Sequence, residues 1–221
     1  MAAVEAGQVT RDILLKPYCS PSSPPHVLHN AEFRLTPFDI ANYNCRVPIL
    51  YAFRPPMPDN AALREGLTRA LAYFPHLIGR FHSEQYGYPK VVQNDAGIRL
   101  KEAIAPSTLE EHLPFDPSAS FLTLHPHPAE GVEVLLQVQL TRFYCGGLTL
   151  GLTSHHRIGD GSSICHFLFT WAKLVQGRDV GTLPFFGWSS FDHLRAEFRP
   201  KSGATRSRGN CLNRPLHFSL L

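Results

Sequence analysis

The strongest constraint on the fold is a two-stranded ribbon that runs straight into a helix. From Val132 to Phe143 the sequence alternates, with Val134, Leu136, Val138 and Leu140 on one side and Glu133, Gln137, Gln139 and Thr141 on the other. Only Leu135 breaks the polar set, so this is the period-two pattern of an extended segment with two unlike faces. Cys145-Gly146-Gly147 is a hairpin turn signal. The return strand sets Leu148, Leu150, Leu152, Ser154 and His156 on one face and Thr149, Gly151, Thr153 and His155 on the other. If alternation holds to the strand end, His156 points inward with the leucines and His155 points away. Past Gly161, a helix capped by Ser162 or Ser163 carries Ile164, Phe167, Leu168, Trp171, Leu174 and Val175 on one stripe and stops at Gly177.

The remaining segments supply strands and one further helix around this unit. Val9 to Lys16, Val27 to Leu35 and Arg46 to Phe53 read as extended. They are separated by the proline-serine connector of residues 17–25 and by the turn Leu35-Thr36-Pro37-Phe38-Asp39. Asp59 or Asn60 caps a helix whose apolar positions Leu63, Leu67, Ala70, Leu71 and Phe74 recur at helical spacing, and Pro75 ends it. Its Arg64, Glu65 and Arg69 face is solvated, so it reads as a helix laid on a sheet. Leu77 to Phe81 and Lys90 to Val92 read as short strands joined across Gly87, and Ile98 to Ala103 as another. Ser107-Thr108-Leu109-Glu110 has the form of a capping box opening a helical turn closed by Pro114, and Phe115 to Pro128 reads as loop.

Composition narrows the class. Hydrophobic residues make up 43% and charged residues 18% of 221 positions, a globular balance that excludes a chain disordered throughout. A formal net charge of +3 is too small to imply a polyanion partner unless it is concentrated. Some of it is: no acidic residue follows Glu197, whereas Arg199, Lys201, Arg206, Arg208 and Arg214 do. The five cysteines, Cys19, Cys45, Cys145, Cys165 and Cys211, are widely separated with no Cys-x-x-Cys pair. That spacing points away from a disulfide framework or zinc knuckle and toward free thiols in a reducing compartment. The N-terminus lacks a basic start followed by an apolar run, and no apolar run approaches the ~20 residues of a membrane span. The expectation is a soluble, cytoplasmic protein.

Thr153 to Ser163 holds the chemistry-bearing residues. A neutral imidazole near pH 7 suits the removal of a proton from a hydroxyl or amine as that atom attacks a carbonyl. No Gly-x-Ser-x-Gly elbow is present, which favours direct attack of one substrate on another over a covalent enzyme intermediate. Asp160 either orients the imidazole or braces the loop, and Gly161 is required where the backbone turns sharply or a ligand passes close. Arg157, beside the histidine, is expected to disfavour imidazolium. Taken alone, a histidine at the inner end of a strand is commonly a hydrogen-bonded core residue. Metal binding is not expected, because residues four apart converge on a metal when they lie on a helix, and here a strand and two glycines surround the pair. Gly159 and Gly161 also lack the third glycine of a phosphate-cradling loop.

Several motifs occur together and in order. Leu35-Thr36-Pro37-Phe38-Asp39 comes first, then the run from Leu67 to Arg80, which contains Tyr73-Phe74-Pro75-His76-Leu77-Ile78-Gly79-Arg80. Leu135 to Phe143 with Cys145-Gly146-Gly147 follows, then His156-x-x-x-Asp160-Gly161, Phe167 and Trp171-Ala172, and last Phe191 to Phe198. From about Val9 to Pro200 the chain resembles the plant BAHD acyl-CoA-dependent acyltransferases of secondary metabolism, above all the hydroxycinnamoyltransferases that acylate amines or alcohols. The resemblance implies an α/β (α+β) domain like chloramphenicol acetyltransferase, a mixed β-sheet flanked by helices, with a channel against a second domain that is missing here. It implies that His156 is the general base and that Asp160, with Gly161, is structural at the active site and pairs with an arginine elsewhere. Thr36 and Pro37 become candidates for the acceptor pocket. The acyl group comes from coenzyme A as cosubstrate and goes to a small amine or alcohol. No other cofactor, metal, nucleic acid or membrane is implied, and the family is typically monomeric.

Members of that family run to about twice this length and carry an Asp-Phe-Gly-Trp-Gly signature in their C-terminal half. Phe185-Phe186-Gly187-Trp188 lacks the aspartate and the last glycine and falls too early to serve as it. The expected organisation is therefore an N-terminal domain with the start of a crossover segment over residues 1–200, and a basic, disordered, non-family tail over residues 201–221. A truncated chain also admits a catalytically silent protein that binds a full-length relative, or an incomplete gene model. The basic tail admits a nucleic-acid accessory role.

Overall fold

The computed structural model describes residues 7–18, 31–82, 89–115, 122–126, 133–182 and 219–220. The ribbon forms as its alternation requires. Strands β7 (Leu136–Phe143) and β8 (Leu148–His155) pair antiparallel across Gly146, whose φ of 81° is the left-handed turn a side chain would strain. They lie inside a mixed six-stranded sheet of order β1-β6-β7-β8-β3-β9. Here β1 is Gln8–Leu15, β3 Arg46–Phe53, β6 Ile98–Ala105 and β9 Ser219–Leu220. The β6–β7 and β3–β9 pairs are parallel and the rest antiparallel. A second, three-stranded sheet joins β2 (Glu32–Arg34), β5 (Lys90–Val92) and β4 (Arg80–His82).

The leucine face of the large sheet is the main core. Leu100, Leu136, Val138, Leu140, Leu148, Leu150 and Leu152 pack under two helices, α2 (Asn60–Leu71) and α4 (Gly161–Val175), the latter contributing Ile164, Phe167, Trp171 and Leu174. The helices are tied together by the Trp171 indole N–H, which donates to the Leu63 carbonyl at 2.8 Å. Phe74 meets Phe167 edge-on with ring centroids 5.3 Å apart. Arg64 fastens α2 to β6 through Glu102 at 2.8 Å. Among the described residues no helix is long and apolar enough to cross a membrane.

Several expectations need correction. Pro75 does not end the long helix; α2 stops at Leu71, and Pro75 opens the short helix α3 (Pro75–Ile78), as a proline without an N–H can at a first turn. Leu77 and Ile78 are therefore helical, and strand β4 begins at Arg80. The capping contacts before the 3-10 turn Glu110–His112 come from Thr108, whose N–H and hydroxyl donate to Glu111, one residue later than the pattern suggested. Cys145 and Cys165 are free, but Cys45 is disulfide-bonded. Widely spaced cysteines gave no local cue to that pairing. The sequence readings on the 17–25 connector beyond Tyr18, on the first part of the Val27 to Leu35 strand (residues 27–30), on the Gly87 turn and on Phe185 to Trp188 and Phe191 to Phe198 also lie outside the described residues. Of the segment after 200, only Ser219–Leu220 is described, and its backbone runs beside Tyr51 and Ala52 of β3.

The polar face of the ribbon is not a solvent face. Gln137, Gln139, Thr141, Thr149 and Thr153 are all buried. A strap of residues 122–126 lies across them, held by the Gln139 amide N–H donating to the Thr123 carbonyl at 2.6 Å and the Thr153 hydroxyl donating to the Pro126 carbonyl at 2.9 Å. Gly151 permits that approach: a Cβ there would stand 2.5 Å from both the His125 Cα and the Leu124 carbonyl oxygen. Period-two alternation marks two unlike faces, but it does not say that the polar one meets water.

Candidate active site

The connection from β8 to α4 positions His155, His156, Arg157, Asp160 and Gly161 within one turn. The strand ends at His155 and the next residues form a turn, so His156 sits just beyond the sheet edge. Alternation stops with the strand at His155, so parity does not carry through to His156; both sides of the sheet are covered, and His155, on the side of Thr149, Gly151 and Thr153, is the more buried of the two. His155 is 9% exposed and packs edge-on against Phe81 with ring centroids 4.6 Å apart. His156 is half-buried. Its N–H donates to the Cys45 carbonyl at 2.9 Å, and its Nδ1 is buried with no hydrogen-bond partner among the described residues.

The charge of Arg157 acts on His155. Burial, then the Arg46 and Arg157 guanidiniums and His156, push the His155 imidazole down to about 3, so this ring is neutral at physiological pH. Arg46 faces His155 in the β3–β8 register, and its guanidinium donates to the Val134 carbonyl at 2.6 Å. Burial holds Arg46 and Arg157 below the usual arginine range.

Asp160 is the N-cap of α4: its carboxylate accepts the Ser163 N–H at 2.8 Å, which replaces the expected Ser162 or Ser163 cap. That bond is the main reason its carboxyl lies below the ordinary aspartate range, with His156 a smaller contributor. Among the described residues no arginine pairs with it. Gly161 opens the helix with nothing among the described residues within 4 Å of where a Cβ would stand, so neither its backbone conformation nor described packing demands glycine there.

Thr36 and Pro37 belong to a different turn. Thr36 caps α1 (Pro37–Ala41) in a reciprocal box with Asp39, its hydroxyl donating to the carboxylate at 2.8 Å and accepting the Asp39 N–H at 3.2 Å. Both residues are buried, and the Thr36 hydroxyl is committed to the cap. The residues that sequence reasoning missed are Arg46 and Phe81, which reach His155 from β3 and β4. Only strand pairing brings them there, and no local pattern signals it.

A family model, the Transferase family, matches residues 13–198 of the chain. Agmatine coumaroyltransferase-1 of Hordeum vulgare is 37% identical over 73% of this chain and 37% of its own length. Tryptamine benzoyltransferase 1 of Oryza sativa subsp. japonica is 33% identical over 91% and 48% respectively. The chain thus spans less than half the length of these curated relatives. Among solved structures, vinorine synthase superposes with a TM-score of 0.67 at 22% identity, over 89% of this chain and 48% of that one, a likeness of fold. With a mixed sheet flanked by helices, a matching family model and relatives of this kind, the chain belongs to the Transferase family of BAHD acyltransferases and corresponds to the N-terminal portion of its members.

Proposed function

We propose that this chain carries the proton-accepting part of an acyl-CoA-dependent acyltransferase site, with His156 as general base and an amine as acceptor. What supports the reading most is the setting of His156, a half-buried residue on a strand-to-helix turn in a chain of this family, whose Nδ1 is buried and without a hydrogen-bond partner among the described residues. Nε2 takes a proton from the acceptor nitrogen as its lone pair attacks the thioester carbonyl carbon of the acyl-coenzyme A. The tetrahedral adduct collapses, the carbon–sulfur bond breaks, and the proton passes to the departing thiolate of coenzyme A. The products are an amide and free coenzyme A, and no covalent acyl-enzyme is formed. An amine acceptor and a hydroxycinnamoyl donor are preferred because relatives bear the names agmatine coumaroyltransferase and putrescine hydroxycinnamoyltransferase. Asp160 acts through the helix cap, and the free space at Gly161 leaves room for a substrate to pass.

The test is incubation of the chain with p-coumaroyl-coenzyme A and a panel of amines and alcohols, with products identified by mass. Amides dependent on His156 are the expected result. Esters in their place would move the acceptor class to alcohols, and no product from any acceptor would sink the proposal in favour of a silent binding partner of a full-length relative.

A further inference from the structure

The ring of His155 is buried and nevertheless bonded. Its Nδ1 accepts the N–H of Arg157 at 3.2 Å, a bond that steps over His156 and ties down the peptide following it. The other described bonds made by the N–H groups of residues 155–158 run to backbone carbonyls: the His155 N–H donates to the Leu135 carbonyl at 2.9 Å, the His156 backbone N–H to the Cys45 carbonyl at 2.9 Å, and the Ile158 N–H to the His155 carbonyl at 3.1 Å. The 155–157 bond is the member of this set that depends on a side chain.

An imidazole accepts through Nδ1 only while that nitrogen is bare, which places the proton of the neutral ring on Nε2. A charged ring donates from both nitrogens and would repel the Arg157 N–H. The surroundings keep the ring neutral: Arg46 from β3 and Arg157 and His156 from its own connection all oppose a charge there, and Phe81 from β4 closes over it. The same Phe81 edge contact restricts rotation of the ring, so the acceptor stays aimed at the Arg157 amide.

We propose that His155 is a positioning residue for His156, accepting the Arg157 N–H through Nδ1 and so fixing the peptide plane that sets the direction of the His156 ring. This rests on His156 being the base. It also predicts an unusual substitution order. Asparagine carries its oxygen directly on Cγ, where Nδ1 stands in histidine, whereas glutamine carries its oxygen one bond further out, near where Nε2 stands. Asparagine is therefore the functional replacement even though glutamine is closer to histidine in length.

The experiment compares His155→Asn, His155→Gln and His155→Leu in the full chain. One readout is the rate at which diethyl pyrocarbonate modifies His156, followed by peptide mass mapping; the other is kcat and KM for coumaroyl transfer. His155→Asn is expected to match the parent on both. His155→Gln and His155→Leu are expected to shift the His156 modification rate severalfold and to lower kcat roughly tenfold or more with KM little changed, since a misplacement of about 1 Å can cost up to 10²-fold. A purely structural role would lower the melting temperature without separating asparagine from glutamine in the modification rate of the folded protein, and that result overturns the proposal. If His155→Leu does not fold, the asparagine and glutamine pair decides. If no variant, parent included, transfers coumaroyl, the base assignment fails while the modification rates still decide the positioning role.

Discussion

Replacing Gly151 with alanine should detach the strap of residues 122–126 from the sheet. The added Cβ would stand 2.5 Å from the His125 Cα and from the Leu124 carbonyl oxygen and 2.8 Å from the His125 Cβ. Two of those three neighbours are backbone, so no rotamer change relieves the overlap and the strap itself must move. It is held by the Gln139-to-Thr123 and Thr153-to-Pro126 hydrogen bonds and by Leu124, which is completely buried. Two hydrogen bonds at about 1 kcal/mol each and a leucine burial of about 2 kcal/mol give a loss of roughly 4 kcal/mol. For a chain of this size that corresponds to a fall in Tm of roughly 10 °C. The assay is thermal and urea unfolding followed by circular dichroism on the parent and the variant. The reasoning is refuted if Gly151→Ala unfolds within about 1 kcal/mol of the parent, a difference ordinary for any point substitution.

Gly161→Ala supplies the contrast. With nothing within 4 Å of the new methyl group, it should leave stability unchanged or raise it by up to about 1 kcal/mol through helix propensity, while transfer activity falls if a substrate uses that space; unfolding and turnover measured together distinguish the two. Asp160→Ala removes the cap of α4 and should cost about 1 kcal/mol in urea unfolding. Because the Asp160 carboxyl is held below its ordinary value, its contribution is complete above the unfolded aspartate pKa of about 3.9 and is lost as pH falls through the lower folded value. The cost of Asp160→Ala should therefore shrink in strong acid. Burial pushes His76 and His155 each down to about 3. The unfolded chain takes up those protons first, so their contribution is full above about pH 6.5 and is lost on acidification. Each should remove about 2 kcal/mol of stability between about pH 7 and pH 5. Urea midpoints across that range, with His76→Gln as comparison, check the slope.

The hairpin, both long helices and the main core were legible because each is written in local periodicity: leucines two apart on β7 and β8, and apolar positions three and four apart on α2 and α4. The cap of α4 was misread by two or three residues because aspartate and serine both cap helices, and only the geometry shows whose oxygen accepts the Ser163 N–H. The histidine-bearing turn was legible as a turn, but the company of His155 was not. Arg46 and Phe81 are distant in sequence and arrive through strand pairing, a non-local contact with no spacing signature. The buried polar face of the ribbon escaped for a related reason. Glutamines and threonines on a strand usually signal solvent, and what buries them here is an irregular strap whose only trace in the sequence is one glycine.

The most direct test of the central assignment is the rate of coenzyme A release from p-coumaroyl-coenzyme A in the presence of agmatine, measured for the parent chain and for His156→Ala. General-base catalysis by a positioned imidazole contributes about 10²–10⁴-fold, so the account predicts agmatine-dependent release by the parent and a fall of at least about 10²-fold in the variant. Equal release by the two proteins, or no agmatine-dependent release by the parent, would contradict it.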